Sequence, residues 1–134
     1  MSIVVPNVGE VLLLKYMLNH TPATNVVMRL FTSNIEPDES DVLGTYSGTE
    51  PSDVAYTPAT LTGSFWTVAT VGGVSSATYS EQHFSFSTTN STYGYYVTDN
   101  TNSELLWAER FDAAPFNIPS GGGNIAITPK IELA

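Results

Sequence analysis

The stretch ATYSEQHFSFSTTNSTYGYYVTDNTNSELLWAERF, residues 77–111, decides the fold. In Ala77–Thr88, Phe84 and Phe86 face one way, while Tyr79, Glu81, His83 and Ser85 face the other. Asn90-Ser91 reads as a turn into Thr92–Thr98, where Tyr93, Tyr95 and Val97 share a side. Asp99–Ser103 turns the chain again into Glu104–Phe111, with Leu105, Trp107 and Phe111 aligned. Alternation with period two is the signature of strands, and polar turn clusters between them predict antiparallel pairing rather than a βαβ sheet.

Working outward, Phe65–Val71 is a further strand closed by a Gly72-Gly73 turn. Ala113–Gly123 is a connection whose three glycines swing the chain into a last strand, Asn124–Leu133. There Ile125, Ile127, Ile131 and Leu133 alternate with Ala126, Thr128, Lys130 and Glu132, and Pro129 implies an edge or a bulge. Upstream, Asn25–Thr32 is apolar on both faces, so it is buried on both or meets a partner. The expected fold is mainly β, an antiparallel β-sandwich or barrel-like domain with one N-terminal α-helix. No internal repeat and no composition break divides the 134 residues, so they are expected to form a single β-rich domain spanning 1–134.

The helix is expected over residues 8–20, preceded by an N-terminal arm, 1–7. Asn7 is placed as the N-cap, with Glu10 three residues on, and the helix should stop near Asn19-His20 before Thr21-Pro22. Its apolar residues, Val8, Val11, Leu12, Leu13, Leu14, Tyr16, Met17 and Leu18, spread almost all round the wheel. Such a helix needs cover on most sides, from a sheet and a loop or from another subunit. Residues 33–63 form a long acidic loop. Six of the thirteen acids lie there (Glu36, Asp38, Glu39, Asp41, Glu50 and Asp53), and only a short strand near Val54–Thr57 is expected.

Composition restricts function. The net charge is −9, with Lys15, Arg29, Arg110 and Lys130 the only cations, too few to neutralise a row of phosphates. Binding to nucleic acid or to an anionic membrane surface is therefore not expected. No apolar run approaches the ~20 residues of a membrane span. The N-terminal residues lack a basic, secretory character, and synthesis in the cytoplasm is expected. The absence of cysteine removes disulfides, thiolate metal sites and cysteine nucleophiles. Ser and Thr, 14 and 17 of them, replace much of the usual charge.

The chemistry-bearing residues do not assemble into a motif. His20 and His83 lack further ligands at zinc spacing. His20 suits a helix C-terminus, and His83 a strand surface. No Gly-x-Ser-x-Gly elbow occurs. Glu104 and Glu109, five apart on one expected strand, point to opposite faces and make no glycosidase pair. Asp38-Glu39-Ser40-Asp41 has oxygen ligands but lacks the spacing of a calcium loop. Gly121-Gly122-Gly123 precedes Asn124 and is no phosphate cradle. Asn90-Ser91-Thr92 has the form of a glycosylation acceptor and reads as a turn. Neither a cofactor nor a catalytic residue is expected. The aromatics of the second half, Trp66 and Trp107 among them, admit three readings: a sandwich core, a protein interface or a sugar-stacking platform.

Three stretches together carry a resemblance: Val4-Val5-Pro6-Asn7-Val8-Gly9-Glu10, Leu105-Leu106-Trp107-Ala108-Glu109-Arg110-Phe111 and Ile125-Ala126-Ile127-Thr128-Pro129-Lys130-Ile131-Glu132-Leu133. The chain resembles a family of small virion structural proteins of tailed bacteriophages. The resemblance covers both ends and the final third, and not residues 33–63. It implies a role without catalysis: a capsid cement or decoration protein on the capsid surface of a virion, bound to the major capsid protein and to itself as a homo-oligomer, with a trimer matching a local three-fold. The alternative is another virion component, such as a head fibre, a tail part or a carbohydrate-binding host-recognition module. The residues expected at interfaces are Ile3, Val4 and Val5 on the arm, which could extend a neighbour's sheet, and Leu13, Leu14 and Met17 on the helix.

Overall fold

A computed structural model describes residues 3–133 of the chain. In chain order its elements are α1 (Asn7–Met17), β1 (Val26–Phe31), α2 (Leu43–Ser47), β2 (Ala59–Leu61), a 3-10 turn (Gly63–Phe65), β3 (Thr67–Val71), β4 (Val74–Thr78), β5 (Gln82–Phe86), β6 (Asn90–Thr92), β7 (Gly94–Asp99), β8 (Leu105–Arg110), β9 (Phe116–Ile118), β10 (Gly123–Ile127) and β11 (Lys130–Leu133). All pairings are antiparallel, in sheets ordered β2-β1-β7-β8, β11-β4-β3, β10-β5 and β6-β9. The expected mainly-β, sandwich-like fold with an N-terminal helix is what forms.

Both faces of β1 are buried by the chain itself. Met28 and Leu30 join Tyr95, Val97, Trp107, Phe84, Phe86 and Ile125 in the main core. On the other face Phe31 packs with Tyr46, Tyr96, Leu105 and Ala108. Tyr46, brought in by α2, stacks on Tyr96 at 5.3 Å and meets Phe31 at 5.1 Å. Aromatic pairs at such distances stabilise beyond their buried area.

Several expected elements divide. Ala77–Thr88 is not one strand: β4 and β5 belong to different sheets, separated around Ser80-Glu81. Asn124–Leu133 likewise splits into β10, paired with β5, and β11, paired with β4. Pro129 lies in the gap, where it has no amide to offer a ladder, and its carbonyl accepts from Tyr79 at 2.9 Å. Asn90-Ser91 is strand rather than turn, pairing with β9 inside the expected 113–123 connection. The Gly72-Gly73 turn forms as expected, with positive φ at both residues. Two-residue hairpin turns of this kind match strand twist and favour glycine.

Residues 33–63 are less of a loop than expected. They contain α2 and β2, and the strand lies at Ala59–Leu61, not Val54–Thr57. Polar contacts strap the segment to the sheet. Arg29 Nη1 donates to both carboxylate oxygens of Glu50, at 3.2 and 3.3 Å, and Tyr56 Oη donates to Glu50 at 2.8 Å. The Leu30 amide donates to Tyr56 Oη at 3.0 Å. Arg110 reaches the Ile35 carbonyl at 3.2 Å and Glu36 at 3.5 Å. Both arginines carry out structural work that a composition count cannot reveal.

The helix is shorter and barer than expected. Asn7 is its first residue rather than its cap. Pro6 takes the cap position, and its carbonyl accepts from the Glu10 amide at 3.0 Å. The helix ends at Met17, not at residue 20. Asn19 adopts φ 54°, while the His20 and Asn19 amides bond the Lys15 and Tyr16 carbonyls at 2.9 and 3.2 Å. This is a left-handed closing motif that Asn tolerates well. Gly9 and Leu12 are the helix's buried residues. Among the described residues neither a sheet nor a loop covers the opposite side, where Val11, Leu14 and Leu18 are exposed.

The arm also departs from expectation. Val4 forms an antiparallel bridge with Ala108, with reciprocal backbone bonds of 2.9 and 3.0 Å. The arm thus extends its own sheet at the edge of β8. Ile3 and Val5 pack, partly buried, on the main core. Residues 1 and 2 of the expected arm lie outside the described residues.

Candidate functional site

A cleft of about 560 Å³ lies between β7–β8 and β10–β11, lined by Tyr95, Glu109, Phe111, Ile127, Lys130 and Glu132 among others. β7 and β8 set Tyr95 directly opposite Glu109, and Tyr95 Oη donates to Glu109 Oε2 at 2.5 Å. Burial, aided by that carboxylate, pushes the Tyr95 hydroxyl well above its ordinary range and keeps it a donor. Lys130 and Glu132 pair with each other at the half-exposed rim, at 2.5 Å. The cleft presents paired charges and a committed hydroxyl, and no nucleophile beside a base. Glu104 does not share this cleft. It borders a separate groove beside α1.

Of the acidic residues of 33–63, Glu36 and Glu50 pair with arginines and the three aspartates accept from the chain's own amides. Asp38 accepts from the Ser40 amide at 2.8 Å and from Ser40 Oγ at 2.6 Å, which holds its carboxyl below the usual range. Asp41 accepts from the Asp38 amide at 2.9 Å and from Tyr46 Oη at 2.7 Å. Asp53 accepts from the amides of Ser87, Thr88 and Ala55 and from both hydroxyls at 87 and 88, at 2.7 to 3.1 Å. These bonds, the Ser87 amide first, hold Asp53 far below an ordinary carboxylate. Among the described residues no three His, Cys, Asp or Glu side chains are grouped to hold a metal ion. His83, on the outward side of β5, pairs with Glu81 just before that strand at 3.0 Å, and His20 lies in the helix-closing turn.

The aromatics resolve unequally. Trp107 and Tyr95 are core, and the Trp107 indole nitrogen is buried with no hydrogen-bond partner among the described residues. Trp66 is partly buried, edge-on to Tyr79 at 5.2 Å. Phe116, half exposed, meets Phe111 edge-on at 5.4 Å.

Most of the exposed large apolar side chains among the described residues lie on two elements. The first is the outer side of α1: Val11, Leu13, Leu14 and Met17, with Leu18 at the C-cap, are 42 to 72% exposed. The second is the hairpin β3–β4. Every residue of β3 is exposed, Val68 and Val71 by more than 70%, with Phe65 beside them at 69%. β3 ends its sheet, so one row of its backbone groups lacks a strand partner among the described residues. Of the residues expected at interfaces, Leu13, Leu14 and Met17 are outward. Ile3, Val4 and Val5 are engaged with their own chain. Val11, Leu18, Phe65, Val68 and Val71 are as exposed and were not among the expected residues. A usable signal existed for the last three: no charged residue occurs between Asp53 and Glu81.

No family model, no curated protein and no solved structure matches the chain. Among the described residues no helix is long and apolar enough to cross a membrane.

Proposed function

We propose that the chain is a non-enzymatic virion structural protein, a capsid cement or decoration protein that binds the outside of the major capsid lattice and stabilises the head. The observation that carries this reading is the concentration of exposed apolar side chains on two elements, the outer side of α1 and the β3 hairpin. The α1 residues share one side of the helix, and a contiguous apolar patch on a small domain marks a surface that meets other proteins. Cement function needs area rather than a reactive group: it buries surface across neighbouring subunits and stabilises whatever it binds by mass action. The resemblance of the two ends and the final third to tailed-phage virion proteins supports the same assignment. The strapped acidic segment suits it too, since a surface exposed outside a particle remains soluble through charge.

The test is binding to shells assembled from the major capsid protein of a phage that encodes this chain. Stoichiometric binding, seen by cryo-electron microscopy on the outer surface, with a raised temperature of shell disruption, is the expected result. Absence from heads, or density in the tail instead, would overturn the assignment.

A further inference from the structure

We infer that the outer face of α1 is a self-association surface, on which a second copy of this chain seats its own α1 in a ring of three or more subunits with their helices parallel. The inference deepens only the self-association part of the reading above and does not depend on a capsid.

The buried side of α1 is defined by Gly9 and Leu12. At 100° per residue, Val11, Leu14 and Leu18 stand on the opposite side, spaced by three and then four residues. That spacing is the seam of a helix–helix contact. All three are more than half exposed. Beside the seam runs a groove of about 260 Å³, floored by Val8, Val11 and Leu12, with Lys15 and Glu104 on its rim. Leu13 and Met17, 42 and 72% exposed, project from the other flank of the same helix. One flank therefore offers knobs and the other a groove. A contact between unlike patches is heterologous: two copies cannot satisfy it, and a ring of at least three closes it.

Charge identifies the occupant. With Val11 and Leu18 as equivalent seam positions, Glu10 and Lys15 flank the seam five residues apart. In parallel helices this places Glu10 of one copy beside Lys15 of the next. An antiparallel pair centred on Leu14 would instead set Glu10 against Leu18. Glu10 is exposed and Lys15 is exposed, and Lys15 makes no ion pair among the described residues. At −9 per chain, copies repel one another, so association requires a locally complementary patch, which this seam supplies.

The full-length chain should be examined by sedimentation velocity over a range of concentrations, together with circular dichroism. The wild type is expected to form a closed oligomer of three or more copies. Leu14→Asp should keep the wild-type spectrum and weaken association about a hundredfold, because it buries an unpaired charge. Glu10→Lys and Lys15→Glu should each weaken association severalfold, and the double swap should restore it. A monomeric wild type, an oligomer indifferent to Leu14→Asp, or a double swap no better than its parents would overturn the inference. So would an oligomer dissolved by Val68→Asp but not by Leu14→Asp, which would move the contact to the β3 edge. An α1 oligomer that ignores shells would sink the cement reading alone, and a monomer that coats shells would sink only this one.

Discussion

Gly9 lies directly against the Leu106 carbonyl oxygen: a Cβ at position 9 would stand 2.2 Å from it. Hydrogen at that position allows α1 to rest on the backbone of β8, and the helix's orientation, with its apolar outer face turned to solvent, follows from this contact. Gly9→Ala should therefore force helix and strand apart. The expected loss is about 1–3 kcal/mol, in the range for overpacking a filled site, even though Ala is the better helix former. Thermal unfolding monitored by circular dichroism checks it; an unchanged or higher Tm contradicts the close packing.

Tyr56 connects the acidic segment to β1 by accepting from the Leu30 amide and donating to Glu50. Tyr56→Phe keeps the ring against Phe84 and Phe86 but removes both bonds. A part-buried amide and a carboxylate then lose a partner, so destabilisation of about 1–3 kcal/mol is expected. Equilibrium urea unfolding measures it, with m unchanged if only the native state is affected.

Acid should weaken the fold through two aspartates. Burial raises the Asp99 carboxyl, but bonds from Thr101, Glu104 and Ser103 outweigh it and hold it at about 2. Asp53 is lowered further by the Ser87 and Ala55 amides and the Thr88 hydroxyl. A carboxyl depressed in the folded state contributes stability above its unfolded value, about 3.9, and loses it as pH falls through the folded value. Stability should accordingly fall from about pH 4 toward pH 2. Asp99→Asn should lower stability at pH 7 and flatten that acid limb. A limb of wild-type steepness in this variant would refute the assignment.

Val4→Pro removes the amide that donates to Ala108 on the edge of β8. A loss of about 1 kcal/mol is expected, with faster hydrogen exchange at Ala108, whose own amide bonds the Val4 carbonyl. Protection at Ala108 equal to wild type would show that the arm does not pair there.

The aspartates of 38–41 are occupied by Ser40, Tyr46 and their own turn. Adding calcium should leave the Tm unchanged, and Asp38→Asn should not alter that indifference. A calcium-dependent rise in Tm that Asp38→Asn abolishes would contradict it.

What the sequence determined by itself was what local rules encode. An apolar run marked β1, alternation marked β7, the Gly72-Gly73 pair marked a hairpin, and the run from Val8 to Met17 marked a helix, because these patterns act within a few residues of one another; on β8 the alternation misled, since a register shift sends Leu105 and Trp107, expected to be aligned, into different cores. Only the tertiary structure decided which strand pairs with which, so β4 and β5, continuous as a pattern, were assigned to different sheets. It also decided that Arg29 and Arg110 strap an acidic segment, and that Val4 closes its own sheet. The outward face of α1 belongs to this second group. A helix apolar all round has no preferred inner side until one residue, here Gly9, permits the closest approach to a neighbour. Which apolar surface remains outside is then set by backbone packing between residues about a hundred positions apart, a separation that no local pattern reports.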